Sequence, residues 1–243
     1  MQPKRLLKKL LWKVGYDVNV FSPTKHSLSR RKHIIHQNGV KTVLDVGANA
    51  GQWATQLRND LDYGHRIISF EPLDHAFQAL QAVASQDAQW DVFQLALGRE
   101  SGKVDINVAN NSQSSSMLQM MDAHVASAPE SQYIGTESIE VRRLDAIFQD
   151  LAIDSSPIYL KIDTQGFEEH VVDGAAGVLD RIDLIQLELS LVQLYEGEPL
   201  LETMCAKMRG LGYDVIALEE SGFSDPETGH LLQVDAIFKR NRA

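Results

Sequence analysis

Val43-Leu44-Asp45-Val46-Gly47-Ala48-Asn49-Ala50-Gly51 is an apolar run that ends in a turn bearing two glycines. Its pattern predicts a buried strand over 42–46 and a helix that begins at once and runs from about Gln52 to Leu61. Where a strand of an α/β sheet turns directly into a helix, a ligand can approach the backbone closely, and Gly47 has no Cβ to obstruct it. Asp45 precedes the turn. Glu71 closes the next strand, Arg66-Ile67-Ile68-Ser69-Phe70-Glu71, which Pro72 ends. In a doubly wound sheet a carboxylate at that second tip faces the ribose of a nucleoside and can accept its hydroxyl hydrogens.

Outward from this core the chain alternates strands with helices. Asp74 reads as the N-cap of a helix running to about Ala84, and residues 90–97 read as a third strand closed by Gly98. Strands over 104–108 and 139–142 flank a polar tract, Asn110–Ser116, which has no apolar period and reads as a solvated loop. Residues 158–163 form a further strand, 167–172 a short helix, 184–189 a strand, and 200–209 a helix stopped by Gly210 and Gly212. The last two strands, 213–218 and 234–239, are joined without a helix pattern and should be antiparallel neighbours. The expected fold class is α/β: a mostly parallel sheet with helices on both faces, as one domain over 39–243 after an extension over 1–38.

Composition narrows the function classes. The chain has 243 residues, 44% of them hydrophobic, which excludes disorder as a whole. One cysteine, Cys205, excludes a disulfide scaffold and a zinc site built on paired cysteines. No apolar run approaches the roughly twenty residues of a membrane span, and no cleavable leader is visible, so a cytoplasmic location is expected.

The formal net charge is −10, unevenly placed. Residues 1–32 hold nine of the 23 Lys/Arg and one of the 33 Asp/Glu, which leaves residues 33–243 at −18. An acidic body argues against a nucleic-acid partner. Over 4–14, lysines and an arginine alternate with leucines and Trp12 at helical period. Such a stripe either covers the protein's own core or a partner, or lies as a peripheral contact on an anionic membrane, here the inner face.

The ligand class follows from the turn. A dinucleotide wants G-x-G-x-x-G and free helix N–H groups for its pyrophosphate. Here the spacing is G-x-N-x-G after Asp45, and an acid there suits a cationic ligand; S-adenosylmethionine carries an ammonium and a sulfonium and no phosphate. A nicotinamide-dependent oxidoreductase remains a competing reading of the same fold. A phosphate loop is excluded, because Gly98-Arg99-Glu100-Ser101-Gly102-Lys103-Val104 is one residue short and lacks Ser/Thr after Lys103.

With these residues in place the chain resembles the FkbM family of S-adenosylmethionine-dependent methyltransferases over roughly 40–240. The carriers are Leu44-Asp45-Val46-Gly47-Ala48-Asn49 with Gly51, Phe70-Glu71-Pro72, Ala96-Leu97-Gly98, Ser115-Ser116-Met117-Leu118, Arg143-Leu144-Asp145, Leu160-Lys161-Ile162-Asp163-Thr164-Gln165-Gly166-Phe167-Glu168, Gly174-Ala175 and Leu187-Glu188-Leu189. The resemblance implies a class I, Rossmann-like methyltransferase sheet of seven strands with the last antiparallel. It also implies methyl transfer to an oxygen, often a sugar hydroxyl of a glycan or natural product. The family pattern usually has Glu where this chain has Gln165, which bears on any metal role.

Candidate site residues follow. Asp45, Gly47, Asn49 and Gly51 are expected to form the floor and methionine side of a cofactor pocket, with Glu71 and Pro72 at the ribose. Methyl transfer is an in-line displacement in which positioning dominates and the hydroxyl's proton needs an acceptor. Asp163, at a strand end, is the expected base or orienting group, although Asp before a short helix also serves as an N-cap. Glu188 is either a second catalytic acid or a buried acid paired with Lys161. Lys161 shares a face with Asp163 and pairs with it or holds substrate.

Asn111, Ser115 and Ser116 are secondary binding candidates. His230, before the last strand, is a runner-up base. His33 and His36 lack companion ligands, so no metal is expected. The competing functional class is a catalytically inactive protein that keeps the cofactor pocket for binding or assembly, motivated by Gln165.

Overall fold

The computed structural model describes residues 3–241. The chain divides into two compact units, one ending at Asn38 and one beginning at Gly39.

The first unit holds α1 (Pro3–Trp12) and α2 (Ser27–Gln37). Leu6, Leu7, Leu10 and Trp12 of α1 are exposed, as are Val14, Tyr16, Val18, Val20 and Phe21 after it. The segment after α1 folds back on the helix: Asp17 accepts from Trp12 Nε1 at 2.8 Å and pairs with Lys8 Nζ at 3.0 Å.

The second unit runs β1 (Thr42–Val46), α3 (Gln52–Asn59), β2 (Arg66–Phe70), α4 (Asp74–Ala84), β3 (Trp90–Phe93), β4 (Ala96–Leu97), β5 (Gly102–Ala109), α5 (Asp122–Ser127), β6 (Tyr133–Arg142), α6 (Leu144–Ile147), β7 (Ile158–Ile162), α7 (Glu168–Gly174), β8 (Leu184–Ser190), α8 (Leu201–Gly210), β9 (Tyr213–Glu220) and β10 (Gln233–Arg240). Seven strands form one sheet in the order β3-β2-β1-β7-β8-β10-β9, and β4, β6 and β5 form a second, smaller sheet. β10 inserts antiparallel between β8 and β9, while β3 to β8 in that order are all parallel. The strand order reverses between β1 and β7, and such switch points are where these sheets bind ligands.

Strand alternation gives the sheet two unlike faces. Leu44, Val46, Leu160, Ile162, Ile185 and Leu187 point to one face, where Val171 and Val172 of α7 and Met204 and Met208 of α8 pack on them. Each such buried Leu or Ile contributes about 1.5–3 kcal/mol. The other face carries a buried polar row in strict register: Ser69 opposite Asp45, Asp45 opposite Lys161, Lys161 opposite Gln186. α3 covers this face, where Trp53 packs 6.1 Å from the Tyr159 ring.

Three local expectations are corrected. The third strand stops at Phe93, because Leu95 N–H turns back to the Phe93 carbonyl at 3.1 Å and sends Ala96-Leu97 into the second sheet. Asp74 lies inside the first turn of α4 and accepts from Gln78 instead of capping; the N-cap position is Leu73. The Asn110–Ser116 tract is no solvated loop. Ser114, Ser115 and Ser116 are buried, held by Asn111 to Ser114 and Ser131, by Ser115 to the Ala109 N–H, and by Ser116 to the Gln165 carbonyl.

Candidate active site

A cavity of about 300 Å³ opens at the carboxyl ends of β1, β2, β7 and β8, and the Ser112–Ser115 segment and Met117 close its side. Of the residues expected at a ligand, Gly47, Asn49, Glu71, Pro72, Lys161, Asp163 and Glu188 all line it.

The turn after β1 is built to present a carboxylate. Gly47 sits at φ +72°, and a Cβ there would fall 1.8 Å from the Asp163 carbonyl oxygen, so only glycine lets β1 and β7 end this close. Glu71 is 4% exposed. Its two oxygens accept the backbone N–H groups of Asn49 at 2.8 Å and Leu73 at 2.9 Å. Burial nonetheless pushes its carboxyl up to about 7, against the pull of those two N–H groups. Each oxygen keeps a further acceptor site for a ligand hydroxyl.

The N–H groups of the same turn are already engaged within the protein. Gly47 and Ala48 N–H both bond to the Phe70 carbonyl, Asn49 N–H to Glu71, Ala50 N–H to the Asn49 side chain, and Gly51 N–H to the Ala48 carbonyl. A dinucleotide fingerprint needs such N–H groups free for phosphate, so the oxidoreductase reading falls. The residues present fit a nucleoside without phosphate: a carboxylate for its hydroxyls, no anion nest, and an indole N–H of Trp53 buried in the wall without a partner.

Two expected contacts do not line the cavity. Gly51, at φ +83°, faces the interior, where a Cβ would meet Leu80 and Trp90 at 3.0 Å; its role is close packing. Asp45 is fully buried one step back from the strand tip, because alternation turns its side chain onto the sheet face. It accepts from Ser69 at 3.2 Å and lies 3.3 Å from Lys161 Nζ. Asp45 therefore balances Lys161 and does not meet a ligand cation.

Lys161 is 4% exposed and also lies 3.3 Å from Asp163 Oδ2. Burial opposes its charge, but Asp163 and Asp45 outweigh that and hold the ammonium well above the ordinary lysine range. Its expected pairing with Glu188 is replaced by these two aspartates.

Asp163 does not cap α7. Its Oδ1 accepts from Gln165 Nε2 at 2.9 Å, and the same nitrogen donates to Glu188 Oε2 at 2.8 Å. No side chain caps α7; Glu168, its first residue, instead reaches back to accept from the Thr164 N–H at 2.7 Å and hydroxyl at 3.1 Å. Burial raises Glu168 to about 7; burial, then the Asp163 charge, raises Glu188 well above the glutamate value.

Tyr195, Trp53 and Glu168 were not expected at the site. Glu168 was visible only as a motif member. Tyr195, whose hydroxyl donates to Gln165 Oε1 at 2.8 Å, lies in an irregular segment with no periodicity to mark it. His230 is exposed in a turn. Among the described residues no cluster of three His, Cys, Asp or Glu could hold a metal ion.

Strand order, the antiparallel β10 and a phosphate-free nucleoside cavity at the β1/β7 switch define a class I S-adenosylmethionine-dependent methyltransferase. Residues 45–215 match the methyltransferase FkbM domain, and the chain belongs to that family. The chain is 24% identical over 190 residues to the 2-O-methyltransferase NoeI of Sinorhizobium fredii, covering 72% of this chain and 77% of that protein. Solved structures that resemble it include a putative rRNA methylase from Clostridium thermocellum, with TM-score 0.48, 10% identity and coverage of 92% of this chain and 100% of that one. Another is LepI in complex with SAM, with TM-score 0.44, 10% identity and coverage of 99% and 53%.

Proposed function

We propose that this methyltransferase acts on a hydroxyl group of a sugar, glycoconjugate or natural product. One observation carries the reading: two carboxylates at neighbouring strand ends, Asp163 and Glu188, share one amide donor and line the same cavity as Glu71. S-adenosylmethionine, when bound, supplies an electrophilic methyl group on its sulfonium. Glu71 and the Gly47–Asn49 turn hold the nucleoside end, and Pro72 borders it.

The two acids take different parts. Asp163 lies 3.3 Å from Lys161 Nζ, whereas burial, then the neighbouring Asp163 charge, pushes the Glu188 carboxyl well above the ordinary glutamate range. Asp163 accepts the proton of the acceptor hydroxyl as the oxygen attacks, and Glu188 orients that hydroxyl. Ser112, Gln113 and Ser115 give the acceptor side a neutral, hydrogen-bonding wall suited to a polyol. The 2-O-methyltransferase activity in the name of the NoeI relative supports an oxygen acceptor, and the acidic body supports a non-nucleic-acid one.

The test is incubation with isotope-labelled S-adenosylmethionine and a panel of saccharides and glycolipids, read by mass spectrometry. Label on a sugar oxygen, lost in Asp163→Asn, is the expected result. Cofactor binding without transfer to any acceptor would favour the inactive, cofactor-binding reading that Gln165 motivates.

The exposed leucines and Trp12 of α1, interleaved with lysines, support a peripheral contact of residues 4–14 with an anionic membrane on its cytoplasmic face. Among the described residues no helix is long and apolar enough to cross a membrane.

A further inference from the structure

We propose that Gln165 is a positioning residue that fixes the Asp163–Glu188 pair and ties it to the Asn110–Ser116 segment through Tyr195. The inference rests on the proposed roles of those two acids.

The geometry uses every polar atom of the side chain. Nε2 has two hydrogens, and they go to Asp163 Oδ1 at 2.9 Å and Glu188 Oε2 at 2.8 Å. Oε1 accepts from the Tyr195 hydroxyl, which also lies 3.3 Å from the Ser114 carbonyl. The amide cannot rotate without breaking all three bonds, and a flipped amide would set its oxygen against two carboxyl groups. With Asp163 Oδ2 beside Lys161, each acid has one oxygen committed to Gln165, and the pair is held in one arrangement.

The backbone is shaped to the same end. Gln165 sits in the left-handed region at φ +55°, which a residue with a side chain adopts at a cost. Gly166 follows at φ +92°, and a Cβ there would lie 2.9 Å from Tyr195 Cβ. Ser116 Oγ donates to the Gln165 carbonyl at 2.6 Å, so the polar tract clamps the turn from the other side. A left-handed glutamine between a catalytic aspartate and a glycine persists where the surroundings over-determine it, and here they aim its amide between two acids.

A glutamate at this position would keep the shape and the Tyr195 bond but replace two donors by a third carboxylate. The groups facing Glu188 are Asp163 and Lys161 from the end of β7, Glu168 from α7 and Asp235 from β10, so Glu188 would then face one cation and four other acids. Gln165→Met would remove the donors without adding charge.

The experiment is an NMR titration of isotope-labelled carboxyl groups in the full chain without ligand, with the Glu188 signal assigned by Glu188→Gln. Thermal melting and S-adenosylhomocysteine binding serve as controls for folding. The Glu188 midpoint is expected to rise by about one pH unit, tenfold in protonation ratio, in Gln165→Glu, and in the same direction in Gln165→Met, because donors to the ionised form are lost. S-adenosylhomocysteine affinity, set at Glu71, should stay within about threefold.

A merely structural role would lower the melting temperature and leave the midpoint in place. An unmoved midpoint in both folded variants overturns the inference, whatever Asp163→Asn does to methyl transfer. A moved midpoint with undiminished transfer by Asp163→Asn instead removes the catalytic reading beneath it.

Discussion

The backbone N–H of Asn49 donates to Glu71 Oε2 at 2.8 Å, joining the glycine turn after β1 to the carboxylate at the tip of β2. That bond consumes a turn N–H beside the cavity and orients the acid for hydroxyl donors. Glu71→Ala should weaken S-adenosylmethionine binding in calorimetry by about 1–3 kcal/mol, roughly 5- to 150-fold, with the fold intact. Unchanged affinity would remove Glu71 from the ribose.

The same carboxyl predicts a pH dependence. Its value of about 7 lies above the ordinary 4.5, and ligand hydroxyls donate to the ionised form. Affinity should therefore weaken as pH falls from about 8 to about 6, because the proton must leave before the hydroxyls bind. The Glu71→Ala variant should show no such slope.

Glu168 gives a stability test. Its folded value of about 7 exceeds the ordinary 4.5, so the folded state binds more protons than the unfolded one between those values. Its contribution is fully present below 4.5 and is lost as pH rises through 7, with an integrated size of order 3 kcal/mol. Glu168→Gln should flatten the fall in melting temperature between about pH 5 and pH 8, while keeping an acceptor for the Thr164 N–H. An equally steep fall in the variant would contradict the assignment.

Lys161 is the hinge of the buried polar row. Lys161→Met leaves Asp45 without its cation in a site with no access to water, and should cost about 3–5 kcal/mol in denaturant unfolding. Adding Asp45→Asn should restore part of that loss, since the stranded charge goes with it. A double variant no more stable than the single one would show that the two residues act independently.

Residues 4–14 make a separate prediction. The intact protein should sediment with vesicles containing phosphatidylglycerol, and removal of residues 1–15 or about 0.5 M salt should release it. An intact protein that stays in the supernatant at low salt would end the membrane reading.

The sequence made the sheet and most of the cavity legible because both rest on local signals. Apolar runs broken by Gly47, Pro72 and Gly210 place the strands and helices, and the missing helix pattern between β9 and β10 places the antiparallel pair. Side-chain direction at a strand end was harder. Asp45 and Asp163 both read as acids at strand ends and point to the same face. Asp45, in register with Lys161, is still inside the sheet and buried, whereas Asp163, two residues beyond Lys161, lies past the end of β7 and lines the cavity. The polar tract misled for a related reason: Ser114, Ser115 and Ser116 look solvated in composition, but their partners, Ser131 and the Gln165 carbonyl, lie far away in the chain. Tyr195 was hidden for the same cause.

The most direct measurement is a crystal structure of the chain grown with S-adenosylhomocysteine. The account predicts density between the Gly47–Asn49 turn and Glu71, with both ribose hydroxyls on the Glu71 carboxylate and the sulfur directed toward Asp163. A fully occupied ligand bound elsewhere, or a cleft left vacant at saturating concentration, would contradict it.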